Sequence, residues 1–225
     1  MNLNSFSKKG IITLRKALPK KACENVISLI EKNRNWDQSL FLEKKDFLKQ
    51  KTINKLNPGK KVQNLYNKMD LSFIETNTKI KKTLKTILGQ KYNITLAKFV
   101  VSVPNSWMPK YVRDFCKKNP GHNLNKFIKK KYRNVTFFQG LNFHMDSIDR
   151  SFKSNKFITM YVYLNRVSAE MSPIELVQGS HKFGHVPWPH FIRKNKKKKL
   201  EFSVDNKNFH KLKKQVLFGS TGDVF

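Results

Sequence analysis

The hydrophobic period of this chain changes once, near Tyr92, and that change limits the folds open to it. Before it, apolar residues recur at helical spacing; after it, β-branched and aromatic residues gather in short extended runs. A short strand, Gly10–Leu14, comes first and runs into Pro19, whose missing N–H is not needed at a helix start. Residues 20–32 then place Cys23, Val26, Ile27 and Ile30 on one helical face. Residues 37–70 are weakly patterned, with a turn at Asn57-Pro58-Gly59. Ser72-x-x-Glu75 has the form of a capping box, and Phe73, Ile80, Leu84, Ile87 and Leu88 continue as an apolar stripe to a stop at Gly89.

Beyond Tyr92, Ile94–Val103 reads as a strand ending at Pro104, and Val135–Asp146 as a second. Between them lies a basic, solvated excursion, 105–134. Phe157–Leu164 is an almost unbroken apolar run, which suits a strand buried on both faces. Pro173–Val177 is a short strand closed by Gly179-Ser180-His181. Residues 182–214 are polar and irregular, and Gln215–Phe218 and Asp223–Phe225 flank a turn at 219–222. Helices followed by strands predict an α+β, mainly β chain. Its core would be a jelly roll (a double-stranded β-helix of cupin type) backed by N-terminal helices. With no repeat or linker, the expectation is one domain over 1–225: supporting elements in 1–91, and a core in 92–225 that carries the insertion 105–134.

A hydrophobic content of 39%, with 18 Phe, excludes a disordered chain. Cys23 and Cys116 belong to no C-x-x-C pair, so neither a zinc site nor a disulfide framework is signalled. The apolar run Ile11–Leu14 is too short for a signal sequence, and no stretch approaches the roughly 18 apolar residues of a spanning helix. A cytoplasmic protein that does not cross a membrane is expected. Lys and Arg number 46 against 15 acidic residues, a formal charge of +31. No nucleic-acid-binding motif accompanies it, and lysine is abundant throughout, so compositional drift is preferred and nucleic acid is not an expected partner.

One segment carries chemistry: Asn142-Phe143-His144-Met145-Asp146. Residues i and i+2 of a strand share a face, so the His144 imidazole and the Asp146 carboxylate can converge on one metal. With a distant second histidine they would form the facial triad of non-haem Fe(II) oxygenases. The H-x-D pattern alone is weak, since any histidine two places from an aspartate produces it.

Its surroundings add to it. Phe6-x-x-x-Gly10-Ile11-Ile12-x-Leu14, His144-Met145-Asp146, the Phe157–Leu164 run, Ile174–Lys182 and Gly222-Asp223-Val224-Phe225 resemble, in order and spacing, the motifs of the phytanoyl-CoA dioxygenase family. The resemblance implies a non-haem Fe(II)- and 2-oxoglutarate-dependent dioxygenase. Such an enzyme uses O2 to hydroxylate an unactivated C–H bond of a small organic or acyl-type substrate, releasing succinate and CO2. It implies His144 and Asp146 as iron ligands, Lys98 and Ser102 as strand contacts to 2-oxoglutarate, Tyr161 in the pocket wall, and a supporting role for His181.

There are departures. Glu170-Met171-Ser172-Pro173 replaces the family's E-N-G-P, and Gln178 replaces the proline before Gly179-Ser180-His181. The family's distal histidine and its 2-oxoglutarate-binding arginine follow the G-D-V strand, whereas this sequence ends at Phe225. The chain is then either a fragment of a longer protein or a shortened member; a fragment, with the last strands missing and weak or absent turnover, is the expectation. Two alternatives stand beside it. One is a non-catalytic basic module that binds nucleic acid or an anionic surface on a jelly-roll scaffold. The other is a cupin-like metal protein with another ligand set that includes His185 and His190, although both read more simply as loop residues. His122 and His210 read as solvated.

Overall fold

The computed structural model describes residues 3–49, 68–94, 97–119, 123–138, 143, 157–183, 191–197 and 200–225. In chain order the helices and strands are α1 (Leu3–Lys9), α2 (Lys20–Glu31), α3 (Lys44–Leu48), α4 (Ser72–Glu75), α5 (Thr78–Leu88), β1 (Val100–Ser102), α6 (Lys110–Lys118), β2 (Thr136–Phe138), β3 (Ile174–Val177), β4 (Phe191–Lys194), β5 (Leu200–Ser203), β6 (His210–Lys211) and β7 (Lys214–Leu217), with short 3-10 turns between them. The described chain mixes helix and strand. Its sheets are small: a parallel pair β1–β2, an antiparallel pair β3–β7 and an antiparallel trio β4–β5–β6. Among the described residues no sheet closes into a barrel. The chain divides into two compact units, one formed by Met1–Lys20, Thr76–Tyr92 and Phe143–Phe225, the other by Lys21–Glu75 and Asn93–Asn142.

In the second of these units, α2 buries Cys23, Val26 and Ile30, the face its spacing predicts. The chain then makes a 3-10 turn, Gln38–Leu40, held by the Asp37 carboxylate accepting the Ser39 N–H at 2.7 Å. Phe41 pairs with Ile128: the Leu42 N–H donates to the Phe127 carbonyl at 2.8 Å, and the Lys129 N–H to that of Leu40 at 2.9 Å. Phe127, 1% exposed, meets Phe47, Phe115 and Tyr111 with ring centroids 4.8, 5.2 and 5.9 Å away. The segment 105–134 is therefore no solvated excursion. It buries Met108, Val112, Leu124, Phe127, Ile128 and Tyr132, each at most 1% exposed. Its lysines obscure this in the sequence: α6 turns Lys110, Lys117 and Lys118 outward while Val112 goes in, so a high charge count coexists with a full apolar face.

In the other unit, the expected N-terminal strand Gly10–Leu14 is irregular apart from its last residue, and a helix precedes it. Phe6 to Lys9 belong to α1, which Gly10 ends with φ +76° while its N–H reaches the Phe6 carbonyl at 2.7 Å. What remains of the strand is a bridge from Leu14 to Val224. Val224 is also bridged to Val162, so residues 222–225 lie between two extended neighbours. Tyr161 and Phe225 exchange both backbone hydrogen bonds at 2.9 Å, and the Tyr163 carbonyl accepts the Gly222 N–H at 2.8 Å. The run 157–164 is not buried on both faces, since Phe157 is 41% exposed; Tyr163, at 8%, is its buried residue.

Two further expectations change. The helix read from Ser72 to Leu88 is two helices, because Asn77 intervenes: its Oδ1 accepts the Ile80 N–H at 3.1 Å and caps α5, and its Nδ2 donates to the Ala17 carbonyl at 2.8 Å. The polar stretch 182–214 contains the β4–β5–β6 sheet. Lysines around its first turn hide it, yet Arg193 and Asn195 both hold the Glu201 carboxylate at 3.0 Å across that turn, and Phe202 and Ser203 are buried. No described helix is long and apolar enough to cross a membrane.

The Asp223 carboxylate, 1% exposed, fastens this unit. It accepts the Lys16 N–H at 2.7 Å, the Ser220 N–H at 2.9 Å and the Arg15 guanidinium at 2.6 Å. Burial opposes the charge, but these donors outweigh it and hold the carboxyl below its usual range. A group so shifted contributes stability above its unfolded pKa, near 3.9, and loses that contribution as pH falls through the lower folded value. Asp223→Ala is expected to cost about 2–3 kcal/mol at pH 7, since buried N–H donors lose a charged acceptor. Arg15→Ala should cost under about 1 kcal/mol, because that side chain is exposed. Urea midpoints check both, and the gap between wild type and Asp223→Ala should narrow as the pH drops below about 4.

Candidate functional site

His144 and Asp146 lie outside the described residues, as do His122, His185, His190 and the Asn57-Pro58-Gly59 turn. The described approach to the H-x-D segment is β2, whose last residue, Phe138, stands six places before His144. β2 runs parallel to β1, with Val100 opposite Thr136 and Ser102 opposite Phe138. A two-stranded parallel pair is weak alone, so something must fix it. Asn125 does so from the neighbouring 3-10 turn. Its Nδ2 donates to the Val135 carbonyl at 2.7 Å, and its Oδ1 accepts the Phe137 N–H at 2.8 Å, with the whole residue 1% exposed. The Leu124 N–H adds a bond to the Phe137 carbonyl at 2.8 Å. An asparagine amide supplies one donor and one acceptor side by side, so it copies the edge of a neighbouring strand. Sequence reading missed Asn125; its place among Leu124, Phe127 and Ile128 was the available signal.

Lys98 and Ser102 do share one face of the β1 segment, and that face is open: both are exposed, and Val100 between them is 52% exposed. The Lys98 ammonium lies 5.7 Å from the Phe138 ring centroid. Tyr161 belongs to the other unit, half-buried, with its backbone paired to Phe225. His181 takes a structural place. Its ring covers Gly10, where a Cβ would collide with it, its Nε2 lies 3.1 Å from the Ser7 carbonyl, and the Gly179 N–H donates to the Lys9 carbonyl at 3.0 Å. His210 is not simply solvated, because its ring stacks on Phe183 at 4.1 Å. Among the described residues no three His, Cys, Asp or Glu side chains are grouped to hold a metal.

Two other perturbed groups pack within the second unit. Tyr111 is pushed up to about 12 by burial and then by the Asp46 charge, and its hydroxyl donates to the Leu42 carbonyl at 2.7 Å. Burial lowers the Lys126 ammonium from its usual value, and Lys126 sits 3.4 Å over the Phe115 ring.

Comparison of the chain with family models, with curated proteins and with solved structures gives no match.

Asn125→Ala strands a buried carbonyl and a buried N–H, and is expected to cost about 2–4 kcal/mol. Lys98→Ala and Ser102→Ala, at exposed positions, should each move stability by less than about 0.5 kcal/mol. Chemical denaturation of the three variants separates the supporting residue from the two surface ones.

Proposed function

We propose that this chain is part of a non-haem Fe(II)- and 2-oxoglutarate-dependent dioxygenase of the phytanoyl-CoA dioxygenase type, built on a jelly-roll core. The observation that carries this reading is the two-sided pairing of Val224 with Leu14 and Val162. Three segments quoted separately for the resemblance (the N-terminal Gly10–Leu14, the apolar run and the Gly222-Asp223-Val224 strand) are neighbours in space. A fourth, the Gly179-Ser180-His181 turn, is tied to the end of α1. Antiparallel pairing of distant segments is the construction a jelly roll requires.

The donor chemistry suits the metal. An imidazole and a carboxylate are ligands that Fe(II) accepts in a facial triad, leaving positions for co-substrate and O2. His144 and Asp146 would hold it; the third ligand is not assigned. When bound, the iron supplies the redox chemistry that couples 2-oxoglutarate decarboxylation to C–H hydroxylation. The protein's part is to orient and to exclude water. Lys98 would offer an ammonium and Ser102 a hydroxyl to a carboxylate of 2-oxoglutarate. Tyr161 would shape the wall against the substrate, whose identity the fold does not specify.

His144→Ala and Asp146→Ala are each expected to weaken Fe(II) binding by at least about tenfold, as measured by anaerobic equilibrium dialysis on the full chain. Lys98→Ala should leave iron affinity unchanged and weaken 2-oxoglutarate binding to the iron-loaded protein. Iron affinity that survives both ligand substitutions would sink the assignment.

A further inference from the structure

We propose that the outward face of α5 is a docking surface for the phosphate backbone of a nucleic acid. The helix carries Lys79, Lys81, Lys82 and Lys85, all exposed, and no acidic residue. Among the described residues none of the four takes part in an ion pair. Some basic residues elsewhere are compensated: Lys110 of α6 pairs with Asp114 at 2.9 Å, Arg193 of β4 with Glu201 at 3.0 Å and Lys214 of β7 with Glu175 at 2.6 Å.

On α5 the spacing works the other way. Lys81 and Lys85 stand four residues apart and Lys82 and Lys85 three apart, so like charges sit on adjoining turns and repel. An anion placed between them removes that repulsion. Thr78, Lys81, Lys82, Lys85, Thr86 and Gln90 line a shallow, open depression there.

The same face argues for nucleic acid over a lipid bilayer. It presents no aromatic or large apolar side chain. The apolar side of the helix is already used, with Ile80 2% exposed and Leu84, Ile87 and Leu88 half-buried. A membrane-surface helix needs that side free. What is left is attraction to charge alone, repeated along the axis. From Lys79 to Lys85 the helix rises about 9 Å, enough to face two or three phosphates, which advance about 3.4 Å each along a duplex strand. The sequence assigns the charge of +31 to drift; on α5 four of these lysines share one helix with no acidic residue. None of His144, Asp146, Lys98, Ser102 or Tyr161 is involved, so this surface stands or falls apart from the iron chemistry.

The test is fluorescence anisotropy of a labelled mixed-sequence duplex of about 20 base pairs, titrated with the full chain across a salt series. Wild type is compared with two triple variants of equal net charge: Lys81→Gln/Lys82→Gln/Lys85→Gln, and Lys197→Gln/Lys207→Gln/Lys213→Gln at exposed positions elsewhere. Lysine and glutamine have nearly equal helix propensity, so the fold should persist, and circular dichroism checks it. The α5 variant is expected to lose roughly tenfold or more in affinity at low salt and to lower the slope of log K against log salt by about 2–3, while the control changes little. Equal losses in both variants would mean diffuse charge and would overturn the proposal. So would absent binding by wild type, or tighter binding to phosphatidylserine vesicles than to the duplex.

Discussion

A buried carboxylate must have its lone pairs occupied or give up its charge, and the unit that holds Asp223 is arranged around that requirement. The donors come from two places far apart in sequence: Arg15 and Lys16 near the start, Ser220 in the last turn. Satisfying one carboxylate therefore draws the N-terminal segment against residues 219–225. The backbone exchange between Leu14 and Val224 is the consequence, and the contact of Tyr163 with Gly222 extends it to the other side. Gly222 makes the close approach possible. Its φ is +85°, and a Cβ there would meet the Leu18 backbone carbonyl. The Leu18 N–H instead reaches the Gly222 carbonyl at 3.1 Å.

The other unit solves a related problem without charge. On the edge turned away from β1, strand β2 has ladder groups with no partner strand, and the Asn125 amide fills the place of that strand. The two devices differ in how they respond to conditions. The Asp223 contacts weaken when acid neutralises the carboxylate, whereas the Asn125 contacts are indifferent to pH across the range where proteins fold. Each holds one described segment in place: β2 in one unit, and residues 222–225 in the other.

The regularities that sequence exposed were those carried by spacing. Cys23, Val26 and Ile30 recur at helical intervals, and α2 buries them. Pro173–Val177 sits between turn signals and is β3, while Gly89 stops α5 at φ +100°. What was hidden depended on partners distant in sequence. Nothing around Phe127 announces that Phe47, Tyr111 and Phe115 converge on it, and the lysines between them pull any local average toward a solvated loop. Asn77 looks like one more polar residue inside an apolar stripe until its side chain is seen to reach both Ile80 and Ala17. Gly10–Leu14 carries strand-forming residues, yet α1 takes the residues before it and leaves a single bridge, because the pairing that matters there is with Val224 alone. The proposed pair His144 and Asp146 rests on donor types and spacing, which are local and so can be read from sequence.

The scarcity of acidic side chains ties these points together. With 15 acids against 46 basic residues, the use made of each acid matters. Asp37, Asp70, Asp205 and Asp223 all accept backbone N–H groups at turns or between segments. All are held below the usual carboxylate range: Asp37 and Asp70 by the Ser39 and Ser72 side chains and then by these N–H bonds, Asp205 chiefly by its N–H bonds, and Asp223 by its donors against the opposing effect of burial. Acids committed to the backbone are poorly placed to neutralise lysines on open helix faces. The positive excess is therefore left at the surface, where salt screens it over about 8 Å at physiological ionic strength. Asp114, Glu175 and Glu201 each pair with one basic side chain, and compensation of the surface charge that such pairs leave over falls to solvent ions or to an anionic partner.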